Sequence, residues 1–343
     1  MSLRPRIRNE MCNPAIGGGA LPMTSAAVPP WGELDEDYLA DLAKRPNPQD
    51  WSPPDTLQAP TFERWRDGII NQIATMVWPI FDSTNSVWKA REVSTLFDAD
   101  FALLDSLHSH LLLPIKGVFS TTVTHSDLFT EEDDRTIGFG FDYARYDPTL
   151  EPLAANQFRG LVRAGYINKV GTLDLQMKRV FQRPRPWQMA LIQNRTAYRY
   201  RVAATADTPS LVSGHCLQGL MGVCNVFAEV GHSLTELSTE VLMQFAVDIG
   251  DRRVFAGVHY PSDNLSSWFT ASQLIPCVFG ASRAPAVKQF MWNAIENKSA
   301  VFAAIRDSIG STSSSPYESI VEAIRESSCP REPGKGLVCG VKK

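Results

Sequence analysis

From Thr61 onward apolar residues recur every three or four positions. Phe62, Trp65, Ile69, Ile73, Met76 and Val77 fall on one face of a helix. The same period predicts helices over 98–113 and 153–180, and then over 214–230, 235–256, 263–280, 285–307 and 316–327. Strand-type alternation is sparse, and no repeat with a period of roughly 20–50 residues is visible. Ahead of Thr61 the pattern lapses into VPPWG, RPNPQ and WSPPD, which predict an extended Pro/Gly-rich arm over residues 1–60, with one short helix near 35–43. The acidic stretch TVTHSDLFTEEDDRTIGFGFDYARYD reads as a long loop between helices. The expected organisation is all-α: the arm, a single helical catalytic domain over 61–328, and a tail over 329–343.

Composition narrows this without changing it. Hydrophobic residues make up 44% and charged residues 20%, and the net charge of −4 gives no global attraction to nucleic acid or to an anionic membrane surface. Anion binding must therefore be local, from basic side chains gathered in a pocket. No stretch offers about 18 uninterrupted apolar residues, so no transmembrane segment is expected. The best window, 265–281, carries three serines, Gln273 and Pro276, and reads as a buried helix. The arginines at 4, 6 and 8 are not followed by the apolar core of a signal peptide, which favours a soluble, cytoplasmic protein. Six cysteines are too few for a disulfide scaffold of this length, and no pair has zinc-ligand spacing. Cys216, Cys224 and Cys277 read as buried thiols, while Cys329 and Cys339 could pair in an oxidising compartment.

Three segments carry candidate chemistry: 178–186, 213–215 and 253–263. In the first, Lys178 lies late in a helix, and Pro184 and Pro186 force the chain into an extended stretch that fixes Arg185 beyond the helix end. A solvated basic helix end is the plainer alternative. In the second, Ser213 and Gly214 open an apolar helix whose free N–H groups suit an anion, with His215 held beside it. The plainer alternative is a capped helix with a structural histidine. In the third, Arg253 stands six residues before His259, and His259 four before Asp263, with Pro261 between the last two. A carboxylate on one imidazole nitrogen would fix the tautomer and leave the other free to attack or ligate; alternatively Asp263 only caps the next helix. Together the segments supply three cations, two backbone donors, two histidines and an orienting acid, the set a tetrahedral or trigonal-bipyramidal oxyanion requires. The other histidines, His108, His110, His125 and His232, have no partner at useful spacing, and Arg199 and Arg201 read as a solvated edge.

This pattern (Lys178 with Arg185-Pro186, Ser213-Gly214-His215, then Arg253, His259 and Asp263) resembles the superfamily of type-2 phosphatidic-acid phosphatases, bacterial acid phosphatases and vanadium-dependent haloperoxidases, with every spacing kept. Two departures from it stand out: Val212 replaces the usual proline, and Asp251-Arg252 replace the usual serine. The resemblance implies the helical bundle of that family. It also implies that Lys178, Arg185, Arg253 and the amides of Ser213 and Gly214 hold phosphoryl oxygens. His259, oriented by Asp263, would attack phosphorus, and His215 would protonate the leaving group.

Expected on that basis is a soluble phosphatase or phosphotransferase acting on a small phosphate or diphosphate ester through a phosphohistidine, without cofactor or metal. Arg-Pro-Arg-Pro and Gly-Val-His-Tyr-Pro-Ser-Asp resemble the phosphatase branch more closely. The long helical region ahead of Lys178 resembles the haloperoxidases, where vanadate would be the cofactor and His259 its ligand. A non-catalytic oxyanion-binding protein is a third reading, although binding alone would need neither histidine. Apolar helix faces are compatible with a homodimer.

Overall fold

The apolar stripe that begins at Phe62 folds as a helix, and so do those that follow it. The computed structural model describes residues 61–80, 94–107, 160–162, 164–192, 209–255, 257–311, 314–329, 331–332 and 336–337. Its helices are α1 (Thr61–Met76), α2 (Ser94–Leu107), α3 (Leu173–Phe181), α4 (Pro186–Ile192), α5 (Gly214–Val230), α6 (Glu236–Phe255), α7 (Pro261–Lys298), α8 (Ala300–Ser311) and α9 (Glu318–Ser328). The fold is all-α; among the described residues the extended pairing is that of Arg331–Glu332 with Gly336–Leu337, antiparallel, in the tail. The expected arm, the acidic loop, His108, His110, His125, Arg199, Arg201 and Cys339 lie outside the described residues.

Helix α5 is the axis of the bundle. Its residues from Gly214 to Val226 are all buried, as expected of a helix that is apolar on every side. It packs against α6, α7 and a wide helical turn at Gly165–Val170, while α7 also carries α9. At the turn the two backbones nearly touch. A Cβ added to Gly165 would lie 2.7 Å from the Gly222 Cα and 2.7 Å from the Met221 carbonyl oxygen. Burial of Leu217, Leu220, Val223, Ile249, Leu265, Trp268 and Ile295 joins the three long helices in one apolar core.

Several boundaries differ from the sequence reading. The helix expected over 153–180 is helical at 160–162 and 164 where described, widens over Gly165–Val170, and is broken at Gly171 and Thr172 before α3. Pro186, expected in an extended stretch, instead sits at the first position of α4, where its missing N–H costs nothing. The break expected between 280 and 285 contracts to Gly280 alone, which adopts φ 73° and ψ 165° inside α7. The helix expected over 285–307 is cut at Ser299, whose hydroxyl donates to both carboxylate oxygens of Asp251 at 2.9 Å. Asp251 also accepts the Ala300 N–H at 2.8 Å and the Val301 N–H at 3.3 Å, capping α8 from a neighbouring helix. Cys216, Cys224 and Cys277 are free thiols, and Cys329 is in a disulfide. No helix among the described residues is long and apolar enough to cross a membrane.

Candidate active site

Lys178 is on the last turn of α3 and is buried. Its ammonium donates to the carbonyl oxygens of Pro209 and Ser210, the latter at 3.2 Å, so it is aimed at the strand of chain leading into α5. Beyond Gln182, in the left-handed conformation (φ 48°), the chain turns and places Arg183 and Arg185, both buried, on the helical core. Arg185 Nη1 donates to the Val258 carbonyl at 2.8 Å and stands 2.9 Å from His259 Nε2.

The turn at Ser213 has three supports. Its hydroxyl caps α5 by accepting the Cys216 N–H at 3.4 Å. Ser267, on α7, donates one hydroxyl to both the Ser213 carbonyl (3.0 Å) and the Asp263 carbonyl (2.8 Å). From the other side Asp174 of α3 presses on Gly214, where a Cβ would come 2.4 Å from its Oδ2. His215 follows in the first turn of α5 and is 6% exposed. The segment is therefore held between α3 and α7, the helices that carry Lys178 and Asp263.

The reversal from α6 into α7 builds the third segment. The Arg253 carbonyl accepts the N–H groups of Val258 (3.2 Å) and His259 (3.3 Å), closing the turn on the end of α6. His259 Nδ1 is 3.0 Å from Asp263 Oδ2, and the same oxygen accepts the Tyr260 N–H at 2.9 Å. Asp263 thus does both things the sequence left open: it caps α7 and it orients the imidazole. A carboxylate on Nδ1 and a guanidinium on Nε2 specify one tautomer, with the proton on Nδ1 and the lone pair on Nε2.

The electrostatics favour a neutral histidine. Burial pushes the His259 pKa well below its ordinary value, and Arg185, Lys178, Arg253 and Arg183 push it further. Burial, followed by the charge of Arg185, lowers Lys178 well below its ordinary value, while Asp174 and Asp263 oppose that. The charges of the three expected cations, Lys178, Arg185 and Arg253, thus all act on this imidazole, Arg185 from 2.9 Å. Such a cluster, confined to a dry interior, is strongly favourable to an anion.

The sequence reading passed over a second layer. Arg183 donates from Nη1 to Asp263 Oδ1 (2.8 Å) and to Ser262 Oγ (2.8 Å), and from Nη2 to Asp100 Oδ2 (2.8 Å). Its guanidinium carbon lies 4.0 Å from the Tyr260 ring centre and 5.0 Å from that of Trp78. Asp100, on α2, also accepts the Ser262 N–H (3.1 Å), the Ser262 hydroxyl (2.5 Å) and the Tyr317 hydroxyl (3.0 Å). The only signal for Arg183 was the doubled Arg-Pro; Asp100, Ser267 and Tyr317 had none. His232, by contrast, is exposed in a short turn after α5, away from any such cluster.

Residues 158–281 match the family model described as the PAP2 superfamily. No curated protein matches the chain, and no solved structure does.

Proposed function

Since residues 158–281 belong to the PAP2 superfamily, whose activity is in general of phosphatase type, we propose that the chain hydrolyses phosphate or diphosphate esters through a phosphohistidine. The observation that carries this reading is His259: Nδ1 is held 3.0 Å from Asp263, and Nε2 faces Arg185 at 2.9 Å. That is an oriented, unprotonated nucleophile with the cations around it.

Lys178, Arg185 and Arg253, with the amides of Ser213 and Gly214, bind the phosphoryl oxygens; Arg185 exchanges its contact with Nε2 for one with the substrate. The Nε2 lone pair then forms a bond to phosphorus as the ester P–O bond breaks, and His215 gives its proton to the departing oxygen. In the second half His215 takes a proton from water, the oxygen bonds to phosphorus, and the Nε2–P bond breaks. The positive charge that appears on the imidazole is stabilised by Asp263.

The same residues fit vanadate, because its geometry matches that of the phosphoryl transition state; His259 Nε2 would then be the ligand, and the bound oxyanion would supply peroxide activation. No observation favours that chemistry over hydrolysis. Purified protein is assayed with p-nitrophenyl phosphate in EDTA, with and without vanadate. Hydrolysis inhibited by vanadate, and lost in His259→Ala, is expected. No turnover across a panel of phosphate esters, or vanadate-dependent bromination by peroxide in its place, refutes the proposal.

A further inference from the structure

The residues of the reaction just described all lie within 158–281, yet the histidine's support does not end there. Asp263 has two carboxylate oxygens: Oδ2 serves His259, and Oδ1 takes Arg183 at 2.8 Å. The other arm of the same guanidinium is bound by Asp100 at 2.8 Å. Ser262, next to Asp263, ties the two acids together, since its hydroxyl meets Arg183 at 2.8 Å and Asp100 at 2.5 Å. Tyr317, the residue just ahead of α9, closes the cluster with a 3.0 Å bond to Asp100. Every charged member has no solvent exposure. Asp100, on α2, and Tyr317, at the N-cap of α9, lie outside the family-matched span.

We propose that Asp100 and Arg183 are positioning residues for the reaction, a buried acid–guanidinium–acid bridge from α2 that fixes Asp263 and sets how strongly it supports His259. The inference rests on the phosphohistidine reading and adds to it the residues that set the nucleophile's strength. Arg183 alone would draw charge from Asp263 and weaken its hold on the imidazolium that forms during transfer. Asp100 offsets that by taking half of the guanidinium's fork. The bridge therefore acts on the step in which charge appears on His259 and not on the cations that bind the ester. The fork suits this: its donors are fixed in one plane, so it holds both acids at a set angle, which the freely rotating donors of an ammonium would not.

The variant Asp100→Asn keeps the shape and removes the charge. Expected is a fall in kcat of about 10- to 100-fold, the usual cost of losing an outer-shell partner, with KM for p-nitrophenyl phosphate little changed. Rates are expressed per vanadate-binding site, so that an unfolded fraction does not count as slow enzyme. The burst of nitrophenol also shrinks, because phosphorylation of His259 becomes the slow step. Where Asp100→Asn alone leaves Arg183 too poorly matched to fold, the pair Asp100→Asn/Arg183→Met removes both charges and is expected to fold with kcat still depressed. Wild-type kcat per site in either variant overturns the proposal. So does loss of vanadate binding in both, which would assign the cluster to the fold alone. An independent readout needs no turnover: the low-field Nδ1 proton of His259 in the proton NMR spectrum, assigned by its absence in His259→Ala, moves upfield in Asp100→Asn. An unmoved resonance refutes the bridge, whereas a wild type inactive on every ester refutes the phosphatase reading only.

Discussion

Replacing Gly214 by alanine tests how the anion turn is held. The added Cβ would sit 2.4 Å from Asp174 Oδ2 and 3.4 Å from its Cγ. Restoring an ordinary 3.4 Å contact requires the carboxylate or the turn to retreat by 1.0 Å, the difference between those two separations. Asp174 is only 4% exposed and its charge supports Lys178, so neither movement is free. Overpacking of this kind costs about 1–3 kcal/mol, or roughly 2–4 °C in Tm for each kcal/mol in a domain of this size class. Misplacing amides that must meet a developing oxyanion costs more in rate than in stability, about 10²-fold in kcat. The assay pairs thermal melts with p-nitrophenyl phosphate kinetics for Gly214→Ala, Asp174→Ala and the double variant. Removing the carboxylate should recover most of the Tm lost in the single Gly214→Ala protein. Gly214→Ala that melts and turns over like the wild type would refute the idea that Asp174 pins the turn. A Tm loss that Asp174→Ala leaves untouched would refute it equally.

Two further outcomes follow from residues around the site. Burial pushes the Asp251 carboxyl up to about 8 and Asp248 up to about 6, both from an ordinary 3.8. A raised carboxyl contributes stability that is complete below about pH 4 and is lost as pH climbs through 6 and 8. Asp251→Asn should therefore flatten the fall in stability between about pH 4 and pH 8, by on the order of 5 kcal/mol over that whole window if the full shift is realised; parallel wild-type and variant curves would show that folding does not raise the Asp251 carboxyl. Ser267→Ala removes the hydroxyl shared by the Ser213 and Asp263 carbonyls, and each of these keeps or can regain helical bonding. A loss of about 1 kcal/mol is expected, with a several-fold rise in KM measured by initial rates; an unchanged KM would mean that the turn is aligned by Asp174 alone.

The segments bearing Lys178, His215 and His259 were readable because each packs its chemistry into a few adjacent positions, where a turn or helix period constrains it. The helices around them were readable for the same reason. What the sequence concealed is non-local. Nothing in the periodicity of α2 distinguishes Asp100 from a solvated acid, because its role is created by partners 83 and 217 positions away. Ser267 looks like one more small residue on α7 until two carbonyls are seen to share it. The cut at Ser299 was hidden likewise, since the cap that ends α7 and starts α8 comes from Asp251, 48 residues earlier. Pro186 is ambiguous on local grounds, since a proline that breaks a preceding helix equally begins a new one.

The bond from Tyr317 to Asp100 also sets an order of assembly. Joining groups 217 residues apart means closing a very long loop, whose entropy cost must be met before the contact returns anything. At about 5–20 residues per second, Tyr317 is synthesised roughly 10–40 s after Asp100. Throughout that interval the nascent chain holds an acid whose last partner does not yet exist, while Arg183, Ser262 and Asp263 arrive in turn. The bridge behind His259 is completed only when α9 docks, so the nucleophile reaches its final setting after that helix has emerged and not when its own motif does.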